Sequence, residues 1–474
     1  MFMAVVVGGC GEDSGGSADA GGTAGTSGAG DSGGTGGVGD TGGSDGTSGA
    51  GGTSGDGGTS DADGTGGVGD TGGSGGTSGA GGTSGVGHTG GSGGTSGAGG
   101  SGDALLPPSR SPIMAYCPFD DASDLTQFEG RPVIRVCHPG DTRAGCHVDT
   151  IAAAVSQSAD GDRIEIVGGG APYTECATIP DGLNDVEIIG VCGRPHIREV
   201  ACGSKGAFVN YGGNLTLTNL EVSNVEISLA EGGNGAAIRD QGTGNLDLRY
   251  VYFHDNQNGI LGGHGIIHID WSRFEANGSS EDVGRAHNTY FSGDVDHVII
   301  RNSIFLRARS EGNNMKSRAH RMDFHCSVSA SLDGFDSREM DISEGGELRI
   351  TNSIVQQGPE SANSNLIGFA TEATDLSLRH PVQLLVIQDS DIINDRGNGS
   401  FIAFNAFSGT AVELTNVRLI GAGASVDNIN GGPADVAQTN VQELVDRAAA
   451  GLPAYSTDHM QLPLPPGCPD FEYF

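Results

Sequence analysis

One short hydropathy unit recurs along the chain: apolar, any, apolar, any, most often Asn or Asp, then an apolar residue at the eighth place. It reads LTLTNLEV from Leu215, LDLRYVYF from Leu246, IHIDWSRF from Ile267, VIIRNSIF from Val298, LRITNSIV from Leu348, LVIQDSDI from Leu385 and VELTNVRL from Val412. A period of two predicts a strand with one inward face in each unit. The fifth positions are residues 219, 250, 271, 302, 352, 389 and 416, with gaps of 21 to 50 residues. The largest gap has room for two units, and the weaker pattern at Met322–Val328 fills it. One such unit buries little by itself, so stability must come from stacking neighbours in a solenoid. The fifth-position Asn and Asp residues suit a turn whose side chains hydrogen-bond along a ladder, a structural role. A β-sandwich or a propeller is the alternative, but both favour hairpins, and few Asn-Gly turns join these units.

The region ahead of the units is consistent with a solenoid. Asp149–Val155 predicts a short helix with Asp149 as N-cap, followed by the turn Ala159–Asp162, the alternating strand Arg163–Val167, and Tyr173-Thr174-Glu175. This order resembles the opening of right-handed parallel β-helix proteins of the pectin-lyase-like kind. The resemblance implies an all-β fold, a single right-handed parallel β-helix, over residues 149–433. Residues 104–148 are expected to form a disulfide-containing lead-in. Thr439–Ala449 predicts a helix with a Thr-x-x-Gln capping box, within a C-terminal helix and tail at 434–474.

Composition separates a further segment. Residues 11–103 hold 43 Gly and 11 acids, with no Lys, Arg or aromatic residue. Such a stretch cannot bury enough apolar surface to offset its chain entropy and is expected to be a disordered linker. GVGDTGGS recurs at 37 and 67, and TSGAGGTSG at 47 and 77. A coil of this length spans roughly 50–60 Å. Before it, Val7-Gly8-Gly9-Cys10 resembles a bacterial lipoprotein box, which implies acylation of Cys10 and makes residues 1–10 a truncated signal. The stub lacks a basic n-region and is short for a signal peptide, so the natural start is expected further upstream. The implied location is the cell envelope, lipid-anchored at the outer membrane, or secreted. Membrane contact is expected only through the anchor, since no run of about 18 apolar residues occurs.

The chain carries a net charge of −35, of which residues 104–474 hold −24. That excludes general binding of nucleic acid. Apart from Cys10 there are eight cysteines, an even number that fits disulfides in an oxidising compartment. Cys137–Cys146 and Cys192–Cys202 are plausible local loops, and Cys117 with Cys468 could tie the ends together. The repeated Cys-His pairs at 137–138 and 146–147 match no common zinc spacing.

One stretch departs from the acidic trend. Residues 301–321 contain Arg301, Arg307, Arg309, Lys316, Arg318 and Arg321 against Glu311 alone. A local excess of positive charge suits an anionic polymer lying along a solenoid. Only two lysines occur in the chain, Lys205 and Lys316, against 22 Arg. Unlike Arg, a desolvated Lys among cations can lose its proton and act as a base. Lys316 and Arg338 are 22 residues apart, about one rung, and adjacent rungs lie about 4.8 Å apart. Alternation puts Lys316 and Arg318 on one face, Arg338 is expected beside Lys316, and Tyr290 and Asn365 extend the same ladder.

Glu311-Gly-Asn-Asn-Met-Lys316-Ser317, followed by Arg338, resembles the polysaccharide lyase family of alginate lyases and chondroitinase B. The resemblance implies β-elimination, with Lys316 taking the C5 proton, Arg338 assisting the leaving oxygen and Glu311 matching a calcium ligand. Two positions depart from the pattern. Arg309 stands where the family has a second acid, and Arg338 is followed by Glu339-Met340 rather than His-Gly. Arg309 is then the expected neutraliser of the substrate carboxylate in place of Ca2+.

Seven histidines fall between 254 and 325 without an HExxH or HxxxH helix motif, and are expected to be outward or turn residues. Asp333, Asp336, Glu339, Asp341 and Glu344 could supply the carboxylate pair of a glycoside hydrolase. The expectation is a monomeric, surface-tethered β-helix that contacts an acidic polysaccharide and could cleave it by elimination. The alternatives are a non-catalytic carbohydrate-binding or structural surface module and, third, a glycoside hydrolase.

Overall fold

The computed structural model describes residues 116–119, 131–373, 379–462 and 468–469. Cys10 and the 11–103 segment lie outside these described residues. From Val133 to Leu444 the chain winds as a parallel β-helix. Each full turn contributes one strand to each of three sheets, which hold 12, 10 and 10 strands among the described residues.

The recurrent units are the strands of the first sheet. Their first positions stand in one row: Leu215, Leu246, Ile267, Val298, Met322, Leu348, Leu385 and Val412. All eight are buried. The fifth position is where the chain turns from the first sheet into the second. Asn219, Tyr250, Trp271, Asn302, Cys326, Asn352, Asp389, Asn416 and Asn440 all adopt φ between 45° and 56°. This left-handed conformation costs an ordinary residue roughly 1–2 kcal/mol and is tolerated best by Asn and Asp. At Tyr250 and Trp271 the side chains stack, with centroids 6.4 Å apart.

The residue after this corner forms a serine ladder. The backbone N–H groups of Ser272, Ser303, Ser327 and Ser353 each donate to the Oγ of the serine one rung on, at 3.1 Å. Each of these hydroxyls donates in turn to the carbonyl two residues back. At the second corner, between the second and third sheets, runs an amide ladder. Asn256 donates to Asn277, Asn277 to Asn288, and Asn288 to Asn314, at 3.0, 2.8 and 2.6 Å. Asn314 ends the row by donating to Glu339 at 2.7 Å. Phe253, Phe274, Phe305 and Phe324 fill the interior, with Phe274 and Phe305 stacked at 4.9 Å.

The ends of the coil differ from the sequence reading. The helix Ile151–Gln157 is capped by Thr150, not Asp149: Thr150 Oγ1 accepts from Ala153 N, while Glu175 accepts from Ile151 N. The β-helix begins before 149, because Val133–Val136 already pairs with Arg163–Ile166. The helix expected at Thr439–Ala449 does not form. Ala434–Thr439 and Gln442–Leu444 instead add another rung, because Asn440 takes the same left-handed corner. The following tail packs Ala450, Leu452 and Leu462 against the outward residues Ile304, Val328, Ile354 and Ile393 of the second sheet.

Cys137–Cys146 is bonded, as its spacing suggests. The other bonds are Cys117–Cys192, Cys176–Cys202 and Cys326–Cys468. Neither Cys192–Cys202 nor Cys117–Cys468 exists: Cys202 meets Cys176, one rung earlier, Cys192 is taken by Cys117 of the lead-in, and the tail returns to the corner at Cys326. No described helix is long and apolar enough to cross a membrane.

The amide ladder is fully buried, so its partners cannot turn to water. We expect Asn288→Leu to destabilise the protein by about 2–4 kcal/mol, since it strands the buried donors of Asn277. Urea unfolding of the purified chain measures this. A loss below that of an ordinary surface substitution would mean the ladder contributes little.

Candidate functional site

The outer face of the third sheet carries the sequence-selected residues. Tyr290, Lys316, Asp341 and Gly368 occupy successive strands in register. Asp341, not Arg338, therefore stands beside Lys316. Arg338 lies three residues earlier, where the chain enters the strand, but its side chain reaches forward. Lys316 Nζ contacts Asp341 Oδ2 at 3.1 Å, and an Arg338 Nη contacts Asp341 Oδ1 at 3.6 Å. The two cations thus meet across one buried carboxylate. Arg338 Nε also donates to Asn365 Oδ1 at 2.6 Å. Gly368 makes this possible, since a Cβ there would stand 3.0 Å from Arg338 Nε.

A second carboxylate completes the cluster. Glu372 puts Oε1 on Lys316 Nζ and Oε2 on Arg318, the latter at 2.8 Å. Arg318 also donates to Glu344 at 2.5 Å and to the Tyr290 hydroxyl oxygen at 3.0 Å. Three cations and three carboxylates are gathered here, so the face is locally neutral. Three more residues of the basic run are neutralised in the same way: Arg307 by Glu275 and Asp333, Arg309 by Asp255, and Arg321 by Asp323.

Electrostatics fix the protonation states. Burial acts to lower the pKa of Lys316, but the Asp341 and Glu372 carboxylates outweigh it and hold it above its ordinary value. Burial likewise acts to raise Asp341, and Lys316 with Arg338 outweighs it, holding the carboxyl below its usual range. In this state Lys316 is an ammonium ion and has no lone pair to serve as a base. His287 lies beneath the cluster, where burial and then the Lys316 charge push its pKa down to about 3. Its Nδ1 accepts the Asn313 N–H at 3.0 Å, so the neutral ring carries its proton on Nε2.

Two expected members are elsewhere. Arg309 sits at the corner between the second and third sheets, 3.5 Å from Asp255, and does not face Lys316. Glu311 occupies an exposed left-handed turn. It belongs to no convergent group of three potential ligands among the described residues, so the residues present do not fit a calcium site built on it. Sequence reasoning missed Asp341 as the central anion, Glu372, and His287. The signal for Asp341 was its spacing of 25 residues from Lys316, equal to one rung.

The carboxylates considered for hydrolysis do not form an open pair. Asp333 is held by Arg307 and Glu344 by Arg318, and Asp341 lies under two cations. Asp336 and Glu339 are fully buried beside the amide ladder. Glu339 accepts from Ser329 and Asn314 at 2.6 and 2.7 Å, and Asp336 accepts from Ser361 at 2.6 Å. Burial pushes Asp336 up to about 6, and burial together with the Asp336 charge raises Glu339 well above its ordinary value. The two cannot both ionise.

No protein-family model matches the chain, and no curated protein sequence matches it. Among solved structures it is similar to pectate lyase Pel9A, at 14% identity over 66% of this chain and 80% of that one, with a TM-score of 0.42. It is also similar to the A-module of Azotobacter vinelandii mannuronan C-5 epimerase AlgE6, at 12% identity over 62% and 92%, with a TM-score of 0.27. The fold assignment rests on the chain's own strand pairing: a parallel β-helix, the architecture implied by the resemblance to pectin-lyase-like proteins, with a paired-charge face on its third sheet.

A raised carboxyl pKa stabilises the fold fully below the unfolded value of about 4, and that stability is lost as pH rises through the folded value. We therefore expect Glu339→Gln to gain stability relative to the parent as pH increases from acid to neutral. Urea unfolding at several pH values measures the difference. A difference independent of pH would show that Glu339 is ionised in the folded state.

Proposed function

We propose that the third-sheet face around Lys316 contacts an acidic polysaccharide, with Lys316 and Arg318 forming the seat for a uronate carboxylate. The observation that carries this is Glu372. Its carboxylate lies across the two cations, one oxygen to each, in the arrangement a uronate group would take. Glu372 is 39% exposed, so the seat opens to solvent. Tyr290 and Asn365 flank it along the coil axis, and a row repeating at about 4.8 Å suits an extended polymer. Charge-assisted bonds of this kind are strong and directional.

β-Elimination is the further activity to be tested at this seat. It would move the C5 proton to a base, form the C4=C5 double bond from that electron pair, and break the C4–O bond as the leaving oxygen gains a proton. Lys316, held protonated by two carboxylates, is better suited to anchoring the substrate than to removing that proton. The reading therefore favours recognition over catalysis by Lys316. We further propose that the domain acts at the cell envelope, tethered through Cys10 and the Gly-rich segment. Four disulfides in the folded part suit an oxidising compartment.

The test is retention of the full chain on gels containing alginate, pectate or chondroitin, with neutral dextran as control. Ultraviolet absorbance of the conjugated C4=C5 product is followed in parallel. We expect retention on at least one acidic polymer, its loss in Lys316→Ala/Arg318→Ala, and tightening by about tenfold in Glu372→Gln, which removes the internal competitor. Retention unchanged in both variants would overturn the assignment of the seat. New absorbance lost in Lys316→Ala would show elimination and overturn the purely anchoring role.

A further inference from the structure

The outer face of the second sheet carries a group of side chains that the polysaccharide reading does not use. His196, Glu221 and His254 lie on three consecutive strands, His196–Arg198, Glu221–Ser223 and Tyr252–His254. His196 is in register with Glu221, and His254 with Ser223. The small Ser223 leaves room for the two imidazoles to lean toward each other, with centroids 6.1 Å apart.

The nitrogens facing away from Glu221 are occupied. His254 Nδ1 lies 2.8 Å from Asp255 Oδ2, and an ionised carboxylate only accepts, so this nitrogen carries the proton. The neutral ring then presents the Nε2 lone pair, 3.3 Å from Glu221 Oε1. His196 Nε2 lies 2.7 Å from Ser223 Oγ. With that nitrogen donating, Nδ1 presents its lone pair 3.6 Å from the same Glu221 oxygen. Two lone pairs and a carboxylate therefore converge, all within 4.8 Å of one another.

These separations have a chemical meaning. Metal–ligand bonds of about 2.0–2.2 Å in tetrahedral geometry place ligand atoms roughly 3.3–3.6 Å apart. The two His–Glu distances fall in that range. Asp255 stands behind His254 as the carboxylate that orients a metal-ligating imidazole, and Arg309 holds Asp255 in turn at 3.5 Å. The side chains of His196, Glu221 and His254 are 24%, 27% and 17% exposed, so an ion can enter. Among the described residues the other convergent group is Cys137, Asp141 and Cys146, whose two sulfurs are joined in a disulfide.

We propose that His196, Glu221 and His254 bind a divalent first-row transition metal of the Zn2+ class, pinning three rungs together and leaving a fourth position open to solvent. Two nitrogens and one carboxylate suit Zn2+, Ni2+ or Cu2+ rather than Ca2+, which takes six to eight oxygens. The site is on a different sheet from Lys316, so it stands or falls independently of the polysaccharide reading.

The test uses the full chain with Cys10→Ser, so that the free thiol cannot compete, stripped with chelator and desalted. Zn2+ and Ca2+ are titrated separately by calorimetry, and thermal unfolding is followed with and without Zn2+. We expect one Zn2+ per chain, no Ca2+ at the same concentrations, and a Tm that rises with Zn2+. His196→Ala and His254→Ala should each abolish the binding. Asp255→Asn, which keeps the ligands, should weaken it about 10–100-fold. His297→Ala, which alters an outward histidine paired with Asp323, should change nothing. Absence of Zn2+ binding, or binding that survives in His196→Ala/His254→Ala, would overturn the proposal.

Discussion

The structure depends on one backbone constraint, a two-residue corner between the first and second sheets that keeps its length through nine successive turns. In the nine turns from Asn219 to Asn440 two residues separate the strands, while the corner before them, between Val186–Val191 and His196–Arg198, has four and also opens on a left-handed residue, Cys192. The other two corners vary widely. The connection from second to third sheet runs from two residues after Gly421 to 13 after Glu275. A corner of constant length fixes the register of the rungs from Asn219 onward, and a fixed register places like residues in rows. The serine ladder, the apolar row from Leu215 to Val412 and the phenylalanine stack all follow. Variation in loop length is left to the edges of the third sheet, and the candidate site lies on that sheet. Glu372 itself comes from a long connection, residues 370–382, between the third sheet and the first.

The same geometry explains why the basic run does not make a basic surface. In a solenoid the nearest neighbours of a side chain are one rung away in sequence, about 25 residues here, rather than adjacent. Arg307 finds Glu275 and Asp333, and Arg318 finds Glu344 and Glu372. A sliding window along residues 301–321 counts only the cations because their partners fall outside it. Long-range steering of an anionic polymer by this face is therefore weak. The proposed recognition therefore relies on local exchange of one carboxylate for another.

This separates what was legible in the sequence from what was not. Strand positions and the stacking of units could be read because period-two alternation and a turn residue recur together, and each unit identified from Leu215 onward is a strand pair around a left-handed corner. The final rung was misread because Thr439–Ala449 also satisfies a helical capping pattern, and local propensity cannot weigh the stacking surface that Thr410–Thr415 offers to Ala434–Thr439. Disulfide partners were obscured for the same reason as ion partners: Cys176 and Cys202 are close only once the rung length is known. Lys316, Arg318, Arg338, Tyr290 and Asn365 do gather on one face. The register that gathers them differs by three residues from the expected one, because this rung is 25 residues long and not 22, so that Asp341 stands beside Lys316.

That shift governs the chemistry open to Lys316. A lysine beside Arg338 alone would be destabilised as a cation and could act as a base. A lysine between Asp341 and Glu372 is stabilised as a cation. Were a uronate to displace Glu372, as proposed, one negative charge would leave and another arrive, so the balance that keeps the proton on Nζ would be preserved. Asp341 remains throughout, buried and without access to water as an alternative partner. Removing that proton would leave the buried Asp341 carboxylate facing a neutral amine with Arg338 as its one remaining cation, 3.6 Å away, a less favourable state. On the proposed reading, binding of an acidic sugar would preserve the ion pair instead of dissolving it, and the geometry that would make the face a carboxylate seat is the same geometry that makes Lys316 a poor base.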